Sequence, residues 1–207
     1  VDDHPMMRRG LRDLLELEND LEVVAEAGNG EDAIALAQQT EPDLILMDLN
    51  MPGIDGLETT RRMRDVDIDA RIVMFTVSDE QGHVLEALRN GADGYLLKDM
   101  DAEQLIEQIR LAATGRMALS PELTQVLAEA IRVRPKPTGQ VPFSSLTKRE
   151  KEVLRQIAKG QSNKMIARKL GITEGTVKVH VKNLLHKLGL RSRVEAAVWV
   201  LEHEAKG

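Results

Sequence analysis

The chain has 207 residues, a length that suits two small domains better than one. It contains no cysteine, which excludes disulfide bonds, thiolate metal sites and cysteine catalysis, and which suits the cytoplasm. Aromatic residues form only 2% of the chain, so we expect an aliphatic core. No apolar run approaches the roughly 18 residues of a membrane span, and we predict no membrane segment.

The net charge of -6 combines two halves of opposite sign. Residues 1–119 carry 11 Lys/Arg and 26 Asp/Glu, whereas residues 143–207 carry 14 Lys/Arg and 6 Asp/Glu. Residues 120–142 are nearly neutral, with 3 and 2. An acidic half joined to a basic half is typical of a cation- or phosphate-handling unit tethered to a unit that binds a polyanion.

Two hydrophobic periods alternate along residues 1–119. Apolar runs typical of strands occur at Leu21–Ala27, Asp43–Asn50, Arg71–Thr76 and Gly94–Lys98. Helical periods fall at residues 7–18, 31–39, 57–65, 80–90 and 102–114. Strands that alternate with helices predict βαβ units, and therefore a doubly wound parallel α/β sheet.

The beginning of this pattern lacks a strand. A βα repeat should open with one, yet only Val1 precedes Asp2 and Asp3. We therefore expect that most of a first strand is missing from this sequence. An empty central position in the sheet would be costly for a domain of marginal stability.

The second half of the chain reads as helices. A helix capped by Ser120 is predicted to reach about Ile131, and Val133–Pro142, with three prolines and a glycine, is typical of a linker. Four helices should follow, at Thr147–Lys159, Asn163–Leu170, Thr173–Leu188 and Ser192–Glu204. A short helix, a turn with glycine and a longer basic helix form the helix-turn-helix pattern.

Polar residues stand at the ends of the predicted strands in the acidic half. Asp2 and Asp3 follow the presumed first strand, Asp48 lies near the end of the third, and Thr76 and Lys98 end the next two. Ligands of doubly wound sheets bind at this edge. Three carboxylates there favour Mg²⁺. Asp48 is placed to act as a nucleophile towards phosphorus, with Thr76 and Lys98 holding phosphoryl oxygens.

The helix Thr173–Leu188 has two different faces. One side is apolar and should pack inside the domain, through Val177, Val181, Leu184 and Leu188. The opposite side is basic around an exposed valine, which fits a helix in the major groove of DNA, with help from phosphate contacts of the preceding helix. The predicted DNA-binding residues are Lys164, Arg168, Lys169, Thr173, Thr176, Lys178, Val179, Lys182, Asn183 and His186.

Motifs in both halves resemble known domains. A resemblance to the receiver domain of bacterial two-component response regulators is carried by DDHPM, LILMDLNMPGIDGLE, MFTVS and GADGYLLKDM. A resemblance to the LuxR-type helix-turn-helix domain is carried by LTKREKEVL, NKMIARKLGITEGTVKVHVKNLLHKLGL and SRVEAAVWV. Together they resemble the NarL/LuxR family of response regulators over essentially the whole chain, and within it the regulators of nitrate and nitrite signalling.

The resemblance implies a flavodoxin-like receiver domain at residues 1–119, a linker at 120–142 and a four-helix domain at 143–207. It implies that a sensor histidine kinase phosphorylates Asp48. The implied Mg²⁺ ligands are Asp2, Asp3, Asp48 and the backbone carbonyl of Asn50. The resemblance also assigns the phosphate-contacting amine to Lys98 and the switch positions to Thr76 and Tyr95.

The family further implies that the unmodified receiver covers the recognition helix until phosphorylation frees it. Attraction between the acidic and basic halves agrees with this, and would be sensitive to salt. The last helix carries an apolar stripe that we interpret as a dimer interface, with internal packing as the alternative: Val194, Ala197, Val198 and Leu201. A two-fold dimer would bind inverted repeats in double-stranded DNA.

Two other classes of function compete with a transcription factor. A phosphatase could use Asp48 as its nucleophile, but such enzymes usually place a second carboxylate two residues later, where this chain has Asn50. A receiver-like module regulated by contacts alone would not need Asp48 together with Thr76 and Lys98. We therefore expect a regulator rather than an enzyme.

Overall fold

The computed structural model describes residues 1–114, 118–119, 146–161, 163–190 and 193–204. The first part is an α/β unit with a four-stranded parallel sheet in the order β1-β2-β3-β4. The strands are β1 Leu44–Met47, β2 Arg71–Thr76, β3 Gly94–Leu97 and β4 Ala118–Leu119. The helices are α1 Pro5–Leu15, α2 Gly30–Thr40, α3 Gly56–Asp65, α4 Gln81–Asn90 and α5 Ala102–Ala113.

Side chains of β1, β2 and β3 alternate between two cores, as a doubly wound sheet requires. Ile72 and Met74 of β2 belong to one core, and Val73 and Phe75 belong to the other. The first core includes residues of α2, α3 and α4, and the second includes residues of α1 and α5. Both faces of the sheet are therefore covered by helices, which confirms the predicted fold class.

The helices of this unit begin where the sequence supplies caps. Asn29, Asp55 and Asp101 each accept a hydrogen bond from the backbone N–H three residues later, at the starts of α2, α3 and α5. Pro5 opens α1, where its missing N–H has no helical partner to lose. The predicted helices are thus confirmed, with ends shifted by a few residues.

The predicted strand Leu21–Ala27 is wrong, because this segment pairs with no strand among the described residues. A cleft of about 480 Å³ separates it from β1. At one end of that cleft, the Val1 carbonyl accepts from Asp48 N at 2.9 Å and Asp2 N donates to the Ala27 carbonyl at 3.1 Å. An apolar alternation forms a strand only when a neighbouring backbone lies within hydrogen-bonding distance.

The second part is entirely helical. Its helices are α6 Lys148–Ala158, α7 Asn163–Leu170, α8 Glu174–Leu188 and α9 Arg193–Glu204. Thr147 and Glu150 form a capping box at the start of α6. A separate aliphatic core includes Val153, Leu154, Ile166 and Leu184, with Trp199 of α9. The helix-turn-helix expectation is therefore confirmed in this part of the chain.

Some predictions fall on residues that the structure does not describe. The helix from Ser120 to Ile131 and the linker Val133–Pro142 lie outside the described ranges. The domain boundaries at residues 119 and 143, and the missing first strand, therefore stay predictions. Among the described helices, none is long and apolar enough to cross a membrane.

Candidate functional site

The carboxyl ends of β1, β2 and β3 meet at one edge of the sheet. Asp48 directly follows β1, Thr76 ends β2, and Lys98 directly follows β3. The parallel register aligns these ends, since Thr76 pairs with Leu97 and Lys98 N donates to the Thr76 carbonyl at 2.9 Å. Residues that are far apart in sequence therefore reach a common site.

One ammonium group joins two carboxylates at this edge. Lys98 Nζ donates to Asp2 Oδ2 at 2.6 Å and to Asp48 Oδ2 at 2.7 Å. The side chains of these three residues are each at most 8% exposed. The other oxygen of Asp48, Oδ1, accepts from Leu49 N at 2.7 Å. Asp48 therefore lies between a fixed positive charge and a backbone donor.

Hydrogen bonds outweigh burial in setting the pKa values of Lys98 and Asp2. Burial lowers the pKa of Lys98, but the hydrogen bonds to Asp2 and Asp48 outweigh it, so the pKa is raised above its ordinary value. Burial raises the pKa of Asp2, but the bonds from Lys98 and from His4 N outweigh it and lower that pKa overall. Lys98 and Asp2 are thus both charged at neutral pH.

A divalent cation fits the donor set beside Asp48. Carboxylate oxygens of Asp2, Asp3 and Asp48 and a ring nitrogen of His4 all lie within 4.8 Å of one another. Asp3 Oδ1 is buried and accepts no well-aligned hydrogen bond, although His4 Nδ1 lies 2.7 Å away. Clustered hard oxygens with an unsatisfied carboxylate are what Mg²⁺ prefers. Asn50, the fourth predicted ligand, is exposed in the loop after β1.

Lys98→Met should make the folded chain dependent on a divalent cation. The substitution leaves the buried Asp2 and Asp48 carboxylates without their shared positive charge, so we expect Tm to fall by about 5–10 °C in EDTA. Added Mg²⁺ should raise the Tm of the Lys98→Met chain by more than it raises the Tm of the unchanged protein. Thermal unfolding measures both effects, with the exposed Lys159→Met as control. An equal rise of Tm with Mg²⁺ in the Lys98→Met and Lys159→Met chains would contradict the cation site.

The predicted switch residues are both buried. Tyr95 is fully buried, and its hydroxyl donates to the Ser78 carbonyl at 2.9 Å. Burial raises the pKa of Tyr95 to about 12. Thr76 is also fully buried. Tyr95 thus fastens the loop that follows Thr76, and any rearrangement of that loop must change this hydrogen bond.

The helix α8 presents the two faces that its sequence predicts. Its apolar side is buried, through Val177, Val181, Leu184 and Leu188. Val179, on the other side, is 57% exposed, and Thr173 caps the helix by accepting from Thr176 N. All ten predicted DNA-binding residues are exposed. An exposed valine among basic side chains is suited to contact base edges in a groove.

The first part of the chain already contacts this basic face. Lys182 Nζ lies 2.5 Å from Asp67 Oδ2, and Lys178 Nζ lies 3.7 Å from Asp69 Oδ2. Asn163 Nδ2 also donates to Asp69 Oδ2, at 2.7 Å. Asp67 and Asp69 are not among the residues predicted from the sequence, although they form an acidic run directly after the predicted helix at residues 57–65. We call these two residues, in the loop between α3 and β2, the acidic loop pair.

The predicted dimer stripe is only partly described. Ala197 is half-buried in α9. The side chains of Val194, Val198 and Leu201 lie outside the described ones. A dimer interface on this helix therefore stays a prediction.

Comparisons with known proteins match both parts of the chain. Residues 1–110 match the response regulator receiver domain, and residues 144–200 match the bacterial regulatory proteins of the luxR family. The nitrate/nitrite response regulator protein NarL of Escherichia coli K12 is 53% identical over 97% of this chain and 92% of its own length. The nitrate/nitrite response regulator protein NarP of the same organism is 50% identical over 98% of this chain and 93% of its own length.

A solved structure agrees with these relatives. The LuxR-family two-component response regulator from Aurantimonas sp. SI85-9A1 is 41% identical, with a TM-score of 0.60, over 64% of this chain and 94% of its own. The shared sequence, the two matched domains and the site after β1 lead to one assignment. The chain belongs to the two-component response regulators, with an amino-terminal receiver domain and a LuxR-type DNA-binding domain.

Proposed function

We propose that this regulator is switched by phosphorylation of Asp48 and that its unphosphorylated receiver holds the DNA-reading face of α8. One observation carries the proposal: two predicted DNA contacts are paired with the receiver, Lys178 with Asp69 and Lys182 with Asp67. Lysines engaged in this way cannot contact DNA at the same time. Receiver docking and DNA binding therefore compete for one surface.

The geometry beside Asp48 suits phosphoryl transfer from a sensor histidine kinase. A carboxylate oxygen of Asp48 attacks the phosphorus of the kinase phosphohistidine, and the P–N bond breaks with its electron pair leaving on the imidazole. Lys98, already 2.7 Å from Asp48, offers its ammonium to the phosphoryl oxygens. A Mg²⁺ held by Asp2, Asp3, Asp48 and the Asn50 carbonyl would supply further neutralising charge.

The signal that reaches the kinase is proposed from the relatives. NarL and NarP are named as nitrate/nitrite response regulators, and their similarity extends over almost the whole chain. We therefore infer that this chain serves a nitrate or nitrite pathway, with the anion read by the kinase. Two copies joined through α9 would bind inverted half-sites in promoter DNA.

Lys182→Ala should weaken DNA binding of the phosphorylated chain, because a phosphate or base contact is lost. We expect an affinity loss of about three- to tenfold and a salt slope smaller by about one. Val179→Ala should instead relax the preference between cognate and altered sites. Titration of labelled DNA at several salt concentrations measures both. Lys187→Ala is the matched control, since Lys187 is paired with Glu150 away from this face.

The proposal is tested by neutralising the acidic loop pair. Asp67→Asn combined with Asp69→Asn should raise the DNA affinity of the unphosphorylated full chain by about three- to tenfold, because two exposed ion pairs no longer compete with DNA. The affinity of the phosphorylated chain should stay unchanged. Asp65→Asn is the control, because Asp65 pairs with Arg61 inside α3. An unphosphorylated affinity equal to that of the unchanged protein would refute the competition.

A further inference from the structure

The acidic loop pair is held in place by one arginine of α3. Arg64, in the last turn of this helix, donates to the carbonyls of Ile68 and Ala70 at 2.7 and 2.9 Å. These two carbonyls flank Asp69, and the backbone of Asp67 donates to the Arg64 carbonyl at 3.1 Å. The loop that contacts α8 is therefore tied directly to the end of α3.

Arg64 is itself anchored to the body of the receiver. Its Nε donates to the Gly91 carbonyl at 3.0 Å, and its Nη2 donates to Asp93 Oδ2 at 2.7 Å. Asp93 is buried and also accepts from Ile72 N and from Arg71. One guanidinium thus uses most of its donors to join α3, the loop and the starts of β2 and β3.

The other end of α3 lies against the phosphoacceptor. Gly56, the first residue of the helix, is so close to Asp48 that an added Cβ would lie 2.0 Å from the Asp48 carbonyl oxygen. Gly56 N donates to the Leu49 carbonyl at 2.8 Å. A helix of ten residues spans about 15 Å. This rigid element therefore connects the site beside Asp48 with the acidic loop pair at the opposite edge of the sheet.

We propose that α3 transmits the state of Asp48 to α8, with Arg64 as the positioning residue that couples the helix to the acidic loop pair. The inference rests on the proposed function, since it explains how the receiver releases the lysines of α8. Rearrangement beside Asp48 shifts the first turn of α3, and the helix carries the shift to Asp67 and Asp69 as a unit. The predicted switch residues Thr76 and Tyr95 are on β2 and β3, so they are not part of this connection through α3.

The contact that this shift must break also involves an arginine of the second domain. Arg193, at the start of α9, donates to Asn163 Oδ1, and Asn163 in turn donates to Asp69. Burial and the nearby Arg71 of the receiver lower the pKa of Arg193 to about 10. Arg71 of the receiver repels Arg193 across this contact, whereas Asp93 and Asp69 attract it. A movement of Asp69 therefore changes one of the attractions that hold Arg193.

Arg64→Ala in the full chain tests the coupling. We expect the ratio of phosphorylated to unphosphorylated DNA affinity to fall about fivefold, because the loop no longer follows α3. The rate of Asp48 phosphorylation should stay unchanged. Arg62→Ala is the matched control, since Arg62 pairs with Glu58 on the exposed side of the same helix. Arg64→Lys keeps the charge but has fewer hydrogen-bond donors, so its affinity ratio should lie between those of the unchanged protein and of Arg64→Ala. This milder variant keeps the test valid where Arg64→Ala unfolds.

A double-mutant cycle separates coupling from general destabilisation. On a background that carries Asp67→Asn and Asp69→Asn, Arg64→Ala should leave the affinity ratio unchanged, because Arg64 acts through those carboxylates. The inference would be overturned if Arg64→Ala lowered the affinity ratio equally on both backgrounds. It would also be overturned if Arg64→Ala alone had the affinity ratio of the unchanged protein. If neutralising the acidic loop pair has no effect on DNA affinity, the proposed function itself fails. The two failures are therefore distinguishable.

Discussion

Asp48→Asn is expected to abolish phosphate incorporation from a phosphorylated histidine kinase or a small-molecule phosphodonor. The amide retains the size of the side chain, but it removes the negatively charged oxygen that attacks phosphorus. It also removes half of the charge that holds Lys98, whose ammonium contacts both Asp48 and Asp2. The loss should be complete within detection, because Asp2, the other carboxylate that contacts Lys98, belongs to the proposed cation ligands.

Phosphate-affinity electrophoresis or transfer of a labelled phosphoryl group measures this loss. Asp43→Asn is the matched control, since Asp43 is exposed at the opposite end of the same strand and should be phosphorylated normally. Labelling of the Asp48→Asn chain at the wild-type level would place the acceptor on another residue. The unaltered thermal stability of the control would show that removal of an aspartate by itself is harmless.

Gly56→Ala, which adds a single methyl group, should strongly lower the stability of the folded chain. The new Cβ would meet the Asp48 carbonyl oxygen at 2.0 Å and Met74 Cε at 2.9 Å. The first contact is with backbone, which cannot rotate away, so α3 or the Asp48 loop must move. We expect the free energy of unfolding to fall by about 3 kcal/mol. Chemical denaturation of the full chain, followed by circular dichroism, measures the change.

Gly10→Ala provides the opposite result from the same substitution. Gly10 lies inside α1, and nothing is within 4 Å of an added Cβ. Alanine should therefore stabilise the chain by about 0.5–1 kcal/mol, through the lower conformational entropy of the unfolded state. A loss at residue 10 as large as that at residue 56 would mean that close approach to Asp48 is not the cause.

The phosphoacceptor edge could be predicted from the sequence because parallel strands align their ends. This rule alone predicts that Asp48 and Lys98 lie together, and in the structure Lys98 Nζ is 2.7 Å from Asp48 Oδ2. The same logic located the buried side of α8, because a period of 3.6 residues fixes which side chains share a face. Local pattern and chain direction were sufficient for both features.

Other features depend on contacts that no local pattern contains. Leu21–Ala27 has the alternation of a strand, but pairing depends on the backbone beside it, and there the structure has a cleft. The charge difference between the halves predicted attraction, yet it did not identify Asp67 and Asp69 as the partners of Lys182 and Lys178. Which surfaces meet depends on the tertiary arrangement of both domains.

The most direct measurement is a titration of the intact chain against promoter DNA, before and after phosphorylation. We expect affinity to rise at least about tenfold on phosphorylation, as release of Lys178 and Lys182 predicts. The Asp48→Asn chain should bind at the lower affinity under both conditions. Equal affinity of the phosphorylated and unphosphorylated protein would contradict the account, since the receiver would then not control access to α8.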